Sequence, residues 1–362
     1  MTRSDGRKKT GKRSFPTTFA WLFSALFCVT ATSMLGQQQQ VSSSGAPGDA
    51  DLATLRALID KGHAAEALKQ LDVLATRKPE PAGVERLRGV AFYAQNNFAE
   101  ADHALATALQ QNGKDVEAAE MRGLTLFRLG KSVDAIPILE GLHDSAPNSK
   151  VDPSYVLALC YIDVRRYDDA RHAFARQYGF EPDSAAAYQL AGRMLLRREA
   201  LTPAQEFAKK AVELNPHLPL THLLLGEIAL ASQHLDEAVT EFEKERALNP
   251  LFGAIYDRLG DAYTRSGDYQ KAQQALQQAM LLEPNSTGPF ILIGKVFLKR
   301  QDAVSAAAYL ERAARMDPTN YMTHSLLGQA YRMMGRTEEA AQEAATGQKL
   351  QSAGRSVQDP TQ

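Results

Sequence analysis

One interval governs this chain. Gly192, Gly226, Gly260, Gly294 and Gly328 recur every 34 residues, and the series extends upstream through Ala158, Gly123, Gly89 and Leu55 with a single step of 35, from Gly123 to Ala158. Twelve residues after each member stands an alanine: Ala67, Ala101, Ala135, Ala170, Ala204, Ala238, Ala272, Ala306 and Ala340. A proline closes most units at one phase, as Pro79, Pro147, Pro182, Pro216, Pro250, Pro284 and Pro318, with Gly113 and Ser352 in its place in the other two. A fixed period of this size means a stack of supersecondary units, because one unit alone cannot bury its apolar face.

The repeated residues have mechanical roles. Two antiparallel helices approach closely where small side chains face each other, which Gly and Ala provide. Proline lacks the amide hydrogen that continues a helix, so it stops the second helix of a unit and begins the next one. A short turn between the helices uses Gly62, Gly130, Gly267 and Gly335, and an apolar residue follows the same turn in Phe98, Tyr167, Leu235 and Tyr269.

These residues resemble the tetratricopeptide repeat family, whose unit carries a large residue, then Leu-Gly, a Tyr, an Ala, an aromatic and a closing Pro. The unit containing Tyr256, Leu259, Gly260, Tyr263, Gly267, Ala272, Ala279 and Pro284 fits that pattern, with Leu276 in place of the aromatic. The resemblance covers residues 48–354 as units near 48–81, 82–115, 116–150, 151–184, 185–218, 219–252, 253–286, 287–320 and 321–354. It implies an all-α fold, a right-handed α-solenoid of about nine stacked helix-turn-helix repeats. Polar Asp51 and Thr54 in the first unit, and Ala344 and Gly347 in the last, mark the ends as solvent-facing caps. Residues 355–362 form a polar tail.

Ahead of the array, the first 13 residues hold Arg3, Arg7, Lys8, Lys9, Lys12 and Arg13 against a single acid, Asp5. An uncharged run from Phe19 to Leu35 follows, so residues 1–35 read as a targeting segment rather than fold. Two readings fit: a signal peptide cleaved after Ala31 or Ser33, or an uncleaved anchor, since ~17 residues at about 1.5 Å each approach the thickness of a bilayer core. Either places the array outside the cytoplasm, periplasmic or secreted after cleavage and membrane-tethered otherwise, because basic residues stay on the cytoplasmic side. Residues 36–50, with Gln37 to Gln40 and then Ser, Gly and Pro, read as a flexible linker. Phe27 before Cys28 departs from the small residue that lipoprotein signals place there.

Outside the basic segment 35 basic residues face 41 acidic ones, which argues against nucleic acid as a partner. Two cysteines, Cys28 and Cys160, make no disulfide framework, and Cys160 between Leu159 and Tyr161 reads as a buried hydrophobe.

Helices account for the chain beyond Ala50 and leave no room for an appended catalytic domain, so no catalytic residue and no cofactor are expected. Gly130-Lys131-Ser132 ends like a phosphate-binding loop, but Thr125 stands where that motif needs glycine, and no strand precedes it. The eight histidines include no zinc-binding helical pair, and no metal site is expected. His222 and His324 take the place where the family often has tryptophan, which predicts packing with a polar tip toward solvent. Acids ahead of the repeated alanines, as in Glu66, Glu100, Asp134, Asp169, Glu237 and Glu339, complement the dipole of each second helix.

In the family the first helix of each unit lines a concave groove. Residues expected on that face are Tyr93, Phe127, Arg128 and Tyr155 as aromatic surface toward the N-terminus, then Arg193 and Arg197, Asp257 and Asp261, and Arg265, Lys295 and Lys299 in charge blocks. Such a groove binds other proteins as extended or helical segments, with anchors for affinity and charges for register. The family's clamp for a chaperone's terminal carboxylate needs asparagine among neighbouring positions, and Leu87, Met121, Val156, Leu190, Leu224, Leu292 and Leu326 are apolar. The expected function is a non-enzymatic adaptor that assembles or localises an envelope or secreted complex. A structural spacer, a self-associating solenoid and an accessory subunit of an enzyme remain as alternatives.

Overall fold

The computed structural model describes residues 49–143 and 153–358, and every element in them is a helix. The first helices of successive units are α1 (Asp49–Asp60), α3 (Val84–Ala94), α5 (Val116–Arg128), α7 (Ser154–Asp163), α9 (Ala185–Arg197), α11 (Thr221–Ala231), α13 (Gly253–Ser266), α15 (Gly288–Lys299) and α17 (Tyr321–Met333). The second helices are α2 (Ala64–Ala75), α4 (Phe98–Gln111), α6 (Ser132–His143), α8 (Tyr167–Tyr178), α10 (Leu201–Leu214), α12 (Leu235–Leu248), α14 (Tyr269–Leu282), α16 (Ala303–Met316) and α18 (Thr337–Gln358). The expected targeting segment, Cys28, Pro147 and residues 36–48 of the expected linker lie outside the described residues, while the linker's last two residues, Asp49 and Ala50, already belong to α1. Helix α18 runs to Gln358, four residues past the expected end of the last unit.

Each helix packs against its neighbours in chain order, and α1, α3 and α5, like α9, α11, α13, α15 and α17, also touch along the row of first helices. This closer approach puts the first helices on the inside of an α-solenoid and the second helices outside. The reversal inside every unit uses one left-handed residue at a single phase: Gly62, Asn96, Gly130, Arg165, Glu199, Gln233, Gly267, Gln301 and Gly335, with φ between 58° and 85°. Four are the glycines visible in the sequence. The other five are L residues held in a conformation that costs them roughly 1–2 kcal/mol each.

Side-chain packing corrects one expectation. In five units the repeated glycine faces not the repeated alanine but a large side chain sixteen positions on, for which it forms the socket. A Cβ at Gly89, Gly123, Gly226, Gly260 or Gly294 would collide with Leu105, Leu139, Phe242, Leu276 or Leu310 respectively. These five knobs are fully buried, as are Leu71 opposite Leu55 and Phe174 opposite Ala158. Where the sixteenth residue is itself small, as Ala208 and Ala344 are, backbones close directly: a Cβ at Gly192 would lie 3.3 Å from Ala204 O, and one at Gly328 3.1 Å from Ala340 O. A helix pair thus meets either as a large knob in a glycine socket or as backbone on backbone.

The two histidines also differ from expectation. His222 Nδ1 lies 2.6 Å from Glu241 Oε2, and His324 Nδ1 lies 2.6 Å from Glu343 Oε2. Both residues are buried, and in each the Nδ1 edge faces a carboxylate nineteen residues on, across the helix pair, rather than solvent. A ring of this size can be buried because the glutamate meets its polar atom.

Glu245, fully buried, occupies a position that is alanine or glycine in several other units. Its Oε1 accepts the Leu220 amide at 2.8 Å and its Oε2 accepts Leu223 N at 3.3 Å. Leu220 is the left-handed residue before α11 and has no side-chain cap of its own, so Glu245 closes the orphan amides of that helix from the opposite helix. Some other helices carry a cap of their own, for example Ser184 accepting Ala187 N at 3.2 Å and Asp302 accepting Ser305 N at 3.0 Å.

Candidate binding groove

The inner face differs from one end to the other. At the N-terminal end, basic side chains are neutralised by the array's own acids: Arg56 on α1 reaches across to Glu117 on α5, and Arg86 on α3 holds Asp115 at 3.1 Å. Arg88 bonds Glu85 at 2.7 Å and Asp72 at 3.1 Å. These pairs link the first three units and leave few cations to recruit.

Aromatic anchors are not laid out on that surface. Tyr93, Phe127 and Tyr155 are half-buried, and each ring serves the array's own packing. Tyr93 meets Phe98 edge-on at 5.3 Å, Tyr155 meets Phe174 at 5.8 Å, and Phe127 packs into the central core beneath Arg198. Arg128 is exposed and lies 4.5 Å over the Phe98 ring. The expectation of exposed anchors is corrected on this point: large rings on short helices are more stable packed between units than exposed to water. Leu87 and Leu224 likewise belong to the core.

In the middle of the array, α9, α11 and α13 open a concave pocket of about 470 Å³. Arg193, Leu196 and Arg197 line it from α9, Glu227, Leu230 and Ala231 from α11, and Arg258 and Arg265 from α13. Three expected groove residues, Arg193, Arg197 and Arg265, therefore meet in one site, where Arg258 and Glu227 join them. Leu196 and Leu230 give it an apolar floor.

The ion pairs around the pocket are uneven. Arg258 Nε holds Glu227 Oε1 at 2.9 Å, and Arg265 holds Asp261 at 3.0 Å from within its own helix. Among the described residues Arg193 and Arg197 form no ion pair, and the Arg193 Nη2 atom is buried without a hydrogen-bond partner. Four guanidinium groups thus border a pocket whose wall contains one carboxylate. Such an arrangement suits carboxylates, because a guanidinium offers its donors as a planar fork.

The acids at Asp257 and Asp261 do not form a block opposed to the arginines. Asp261 neutralises Arg265, and Asp257 lies 3.9 Å from Arg258 with its Oδ1 buried and unbonded. Burial pushes the Asp257 carboxyl above its ordinary value; Arg258 opposes this, while Asp261 and Glu283 add to it. Lys295 and Lys299 sit one unit further along on α15 and do not line the pocket.

Among the described residues the single thiol is not set up for reaction. Burial raises the Cys160 thiol to about 11, which keeps it protonated at neutral pH, and the Ser132 hydroxyl donates to Asp163 at 2.8 Å. No cluster of three or more metal-ligating side chains occurs among the described residues. No helix among them is long and apolar enough to cross a membrane.

Arg258 was the residue most open to discovery from sequence. Ala53, Leu87, Met121, Val156, Leu190, Leu224, Leu292 and Leu326 share its phase, so it is the one charged side chain in a column of apolar ones. Glu227 shares the phase of Arg193 and Asp261 and was equally legible.

Comparison with known proteins agrees with this architecture. Tetratricopeptide repeat profiles match residues 52–101, 86–150, 155–219, 253–286 and 297–352. No curated protein matches the chain. Similar solved structures include MamA residues 41 to the end from Desulfovibrio magneticus RS-1, 20% identical over 47% of this chain and 97% of that one, with a TM-score of 0.44. The Cut9–Hcn1 hetero-tetramer of APC/C is 18% identical over 78% of this chain and 56% of that one, with a TM-score of 0.43. YrrB, described as having an unusual peptide-binding site, is 19% identical over 51% of this chain and 94% of its own, with a TM-score of 0.41.

Proposed function

The chain belongs to the tetratricopeptide repeat family, and on that premise we propose that it is a non-enzymatic scaffold binding segments of other proteins along its row of first helices. The observation that carries this reading is the pocket where three successive first helices bring Arg193, Arg197, Arg258 and Arg265 to one concave surface. A surface that needed only to remain soluble would pair those charges, as the N-terminal units do. Keeping Arg193 half-buried with an unbonded Nη2 costs stability, and a bound segment that accepts that donor offsets the cost.

The placement belongs to the same proposal. Six basic residues followed by the uncharged run from Phe19 to Leu35 support export of the array or its tethering outside the cytoplasm. There the array acts as an adaptor that assembles or localises an envelope or secreted complex.

The test is partner capture from the extracytoplasmic fraction by wild type and by the Arg193→Glu/Arg197→Glu double variant, after both are shown to have equal helicity and melting. Loss of a captured protein from the double variant supports the adaptor reading. An unchanged capture set contradicts it at this site.

A further inference from the structure

The chemistry of the central pocket narrows the kind of partner, and the inference rests on the groove reading just given. We propose that the pocket selects an internal acidic segment of a partner protein, one carrying at least two carboxylate side chains, and that Arg193 and Arg197 are the residues that discriminate it.

Three observations converge. The pocket wall holds four guanidinium groups and one carboxylate, and that carboxylate, Glu227, is already committed to Arg258 at 2.9 Å. Arg265 is held by Asp261, which leaves Arg193 and Arg197 as the cations without an internal counter-charge among the described residues. Arg193 lines the pocket, and its buried Nη2 lacks an acceptor, which leaves it a donor for an oxygen of a bound segment to satisfy.

The sequence column adds a fourth. Every other unit places an alanine, leucine, valine or methionine at the phase of Arg258. Unit seven instead bears an arginine that braces Glu227 beneath the other two cations. Glu227 fixes the Arg258 fork while leaving the site with excess positive charge, which repels basic segments and leaves neutral ones without a counter-charge.

Side-chain carboxylates suit the site better than a single chain end. Arg193 and Arg197 lie one turn apart on α9, about 6 Å along the axis, a spacing that neighbouring acidic side chains on an extended or helical segment can match. The apolar floor of Leu196 and Leu230 accommodates the methylenes of glutamate.

The test uses the purified full chain and a fluorescein-labelled octaglutamate peptide, acetylated and amidated so that it carries no terminal carboxylate, with octaglutamine as its neutral counterpart. Octaglutamate is expected to bind and octaglutamine is not. Arg193→Gln/Arg197→Gln, checked for unchanged melting, is expected to weaken octaglutamate binding by about tenfold or more, whereas Lys295→Gln/Lys299→Gln leaves it unchanged. Equal weakening by both pairs overturns the proposal, because the attraction is then a diffuse field. Absence of octaglutamate binding to wild type overturns it as well. A cellular partner that is lost from Arg193→Glu/Arg197→Glu but contacts the pocket through a segment without clustered acids overturns the acidic selection while leaving the groove reading intact.

Discussion

The ring of Phe242 on α12 fills the space where Gly226 on α11 lacks a side chain, and the same sixteen-residue relationship recurs from unit to unit. It sets how closely the two helices of a unit approach, and hence how each pair presents its first helix to the groove. Placing a methyl group at Gly226 forces Phe242 from its site. Gly226→Ala is expected to destabilise the array by about 1–3 kcal/mol. Gly141, also inside a helix, has open space around its would-be Cβ, so Gly141→Ala is expected to stabilise by about 0.5–1 kcal/mol. Urea unfolding followed by circular dichroism measures both signs.

The turn between helices gives a second pair of opposite signs. Gln233 and Glu199 hold φ of 63° and 58° at the phase where Gly267 holds 85°. Replacing Gln233 or Glu199 by Gly is expected to raise the urea midpoint, by relief of about 1 kcal/mol of left-handed strain, while Gly267→Ala lowers it by a similar amount.

Glu245 is expected to behave as a buried cap rather than a surface acid. Glu245→Ala restores the residue type of several other units yet leaves the Leu220 and Leu223 amides without their acceptor, and it is expected to cost about 1–3 kcal/mol. Hydrogen exchange at those two amides reports the loss locally. Unchanged protection there contradicts the cap.

Two groups give pH dependence of defined sign. Burial lowers the His324 pKa, but its hydrogen bonds to Glu343 and to Pro318 O more than offset this and leave it raised above 6.5. A raised folded-state value means that the ion pair's stabilisation is fully present below the unfolded value and is lost as pH rises through the folded one. The urea midpoint is therefore expected to fall as pH climbs from near neutral, and His324→Gln to remove that part of the slope.

Asp257 has the opposite consequence for its charge. Its folded-state pKa is raised, chiefly by burial, so folding favours the protonated form, and this contribution is lost as pH rises from the unfolded value through the folded one. Asp257→Asn is expected to raise the urea midpoint relative to wild type at pH 7, with the advantage shrinking toward acid pH.

The repeat was legible because its landmarks are backbone requirements: Gly or Ala for close approach, Gly at four of the nine left-handed turns, and Pro after the second helix. These read directly from spacing. Partners across helices were less so. The sockets pair residues sixteen apart, His222 and Glu241 nineteen apart, and Tyr331 and Glu311 twenty apart, with the Tyr331 hydroxyl donating to the carboxylate at 2.9 Å. An inspection that compares only equal phases does not join them. For the site, the arginines on α9 and α13 were visible as groove residues, but the neutralising role of Asp261 and the packing of Tyr93, Phe127 and Tyr155 depend on side-chain direction between neighbouring helices. Arg258 was legible as the one charged side chain at a phase that the other units give to apolar residues, but the apolar column did not show that this phase borders the groove.

The most direct test of the central claim, that partners bind the inner face at the middle of the array, is site-specific photo-crosslinking from two exposed alanines in the same unit. A photoreactive residue at Ala231 on α11 faces the pocket, and one at Ala247 lies on α12, in the outer layer. Crosslinks to a partner from position 231 and none from position 247 are the predicted result. Crosslinks from 247 alone contradict the claim and place binding on the outer helices instead.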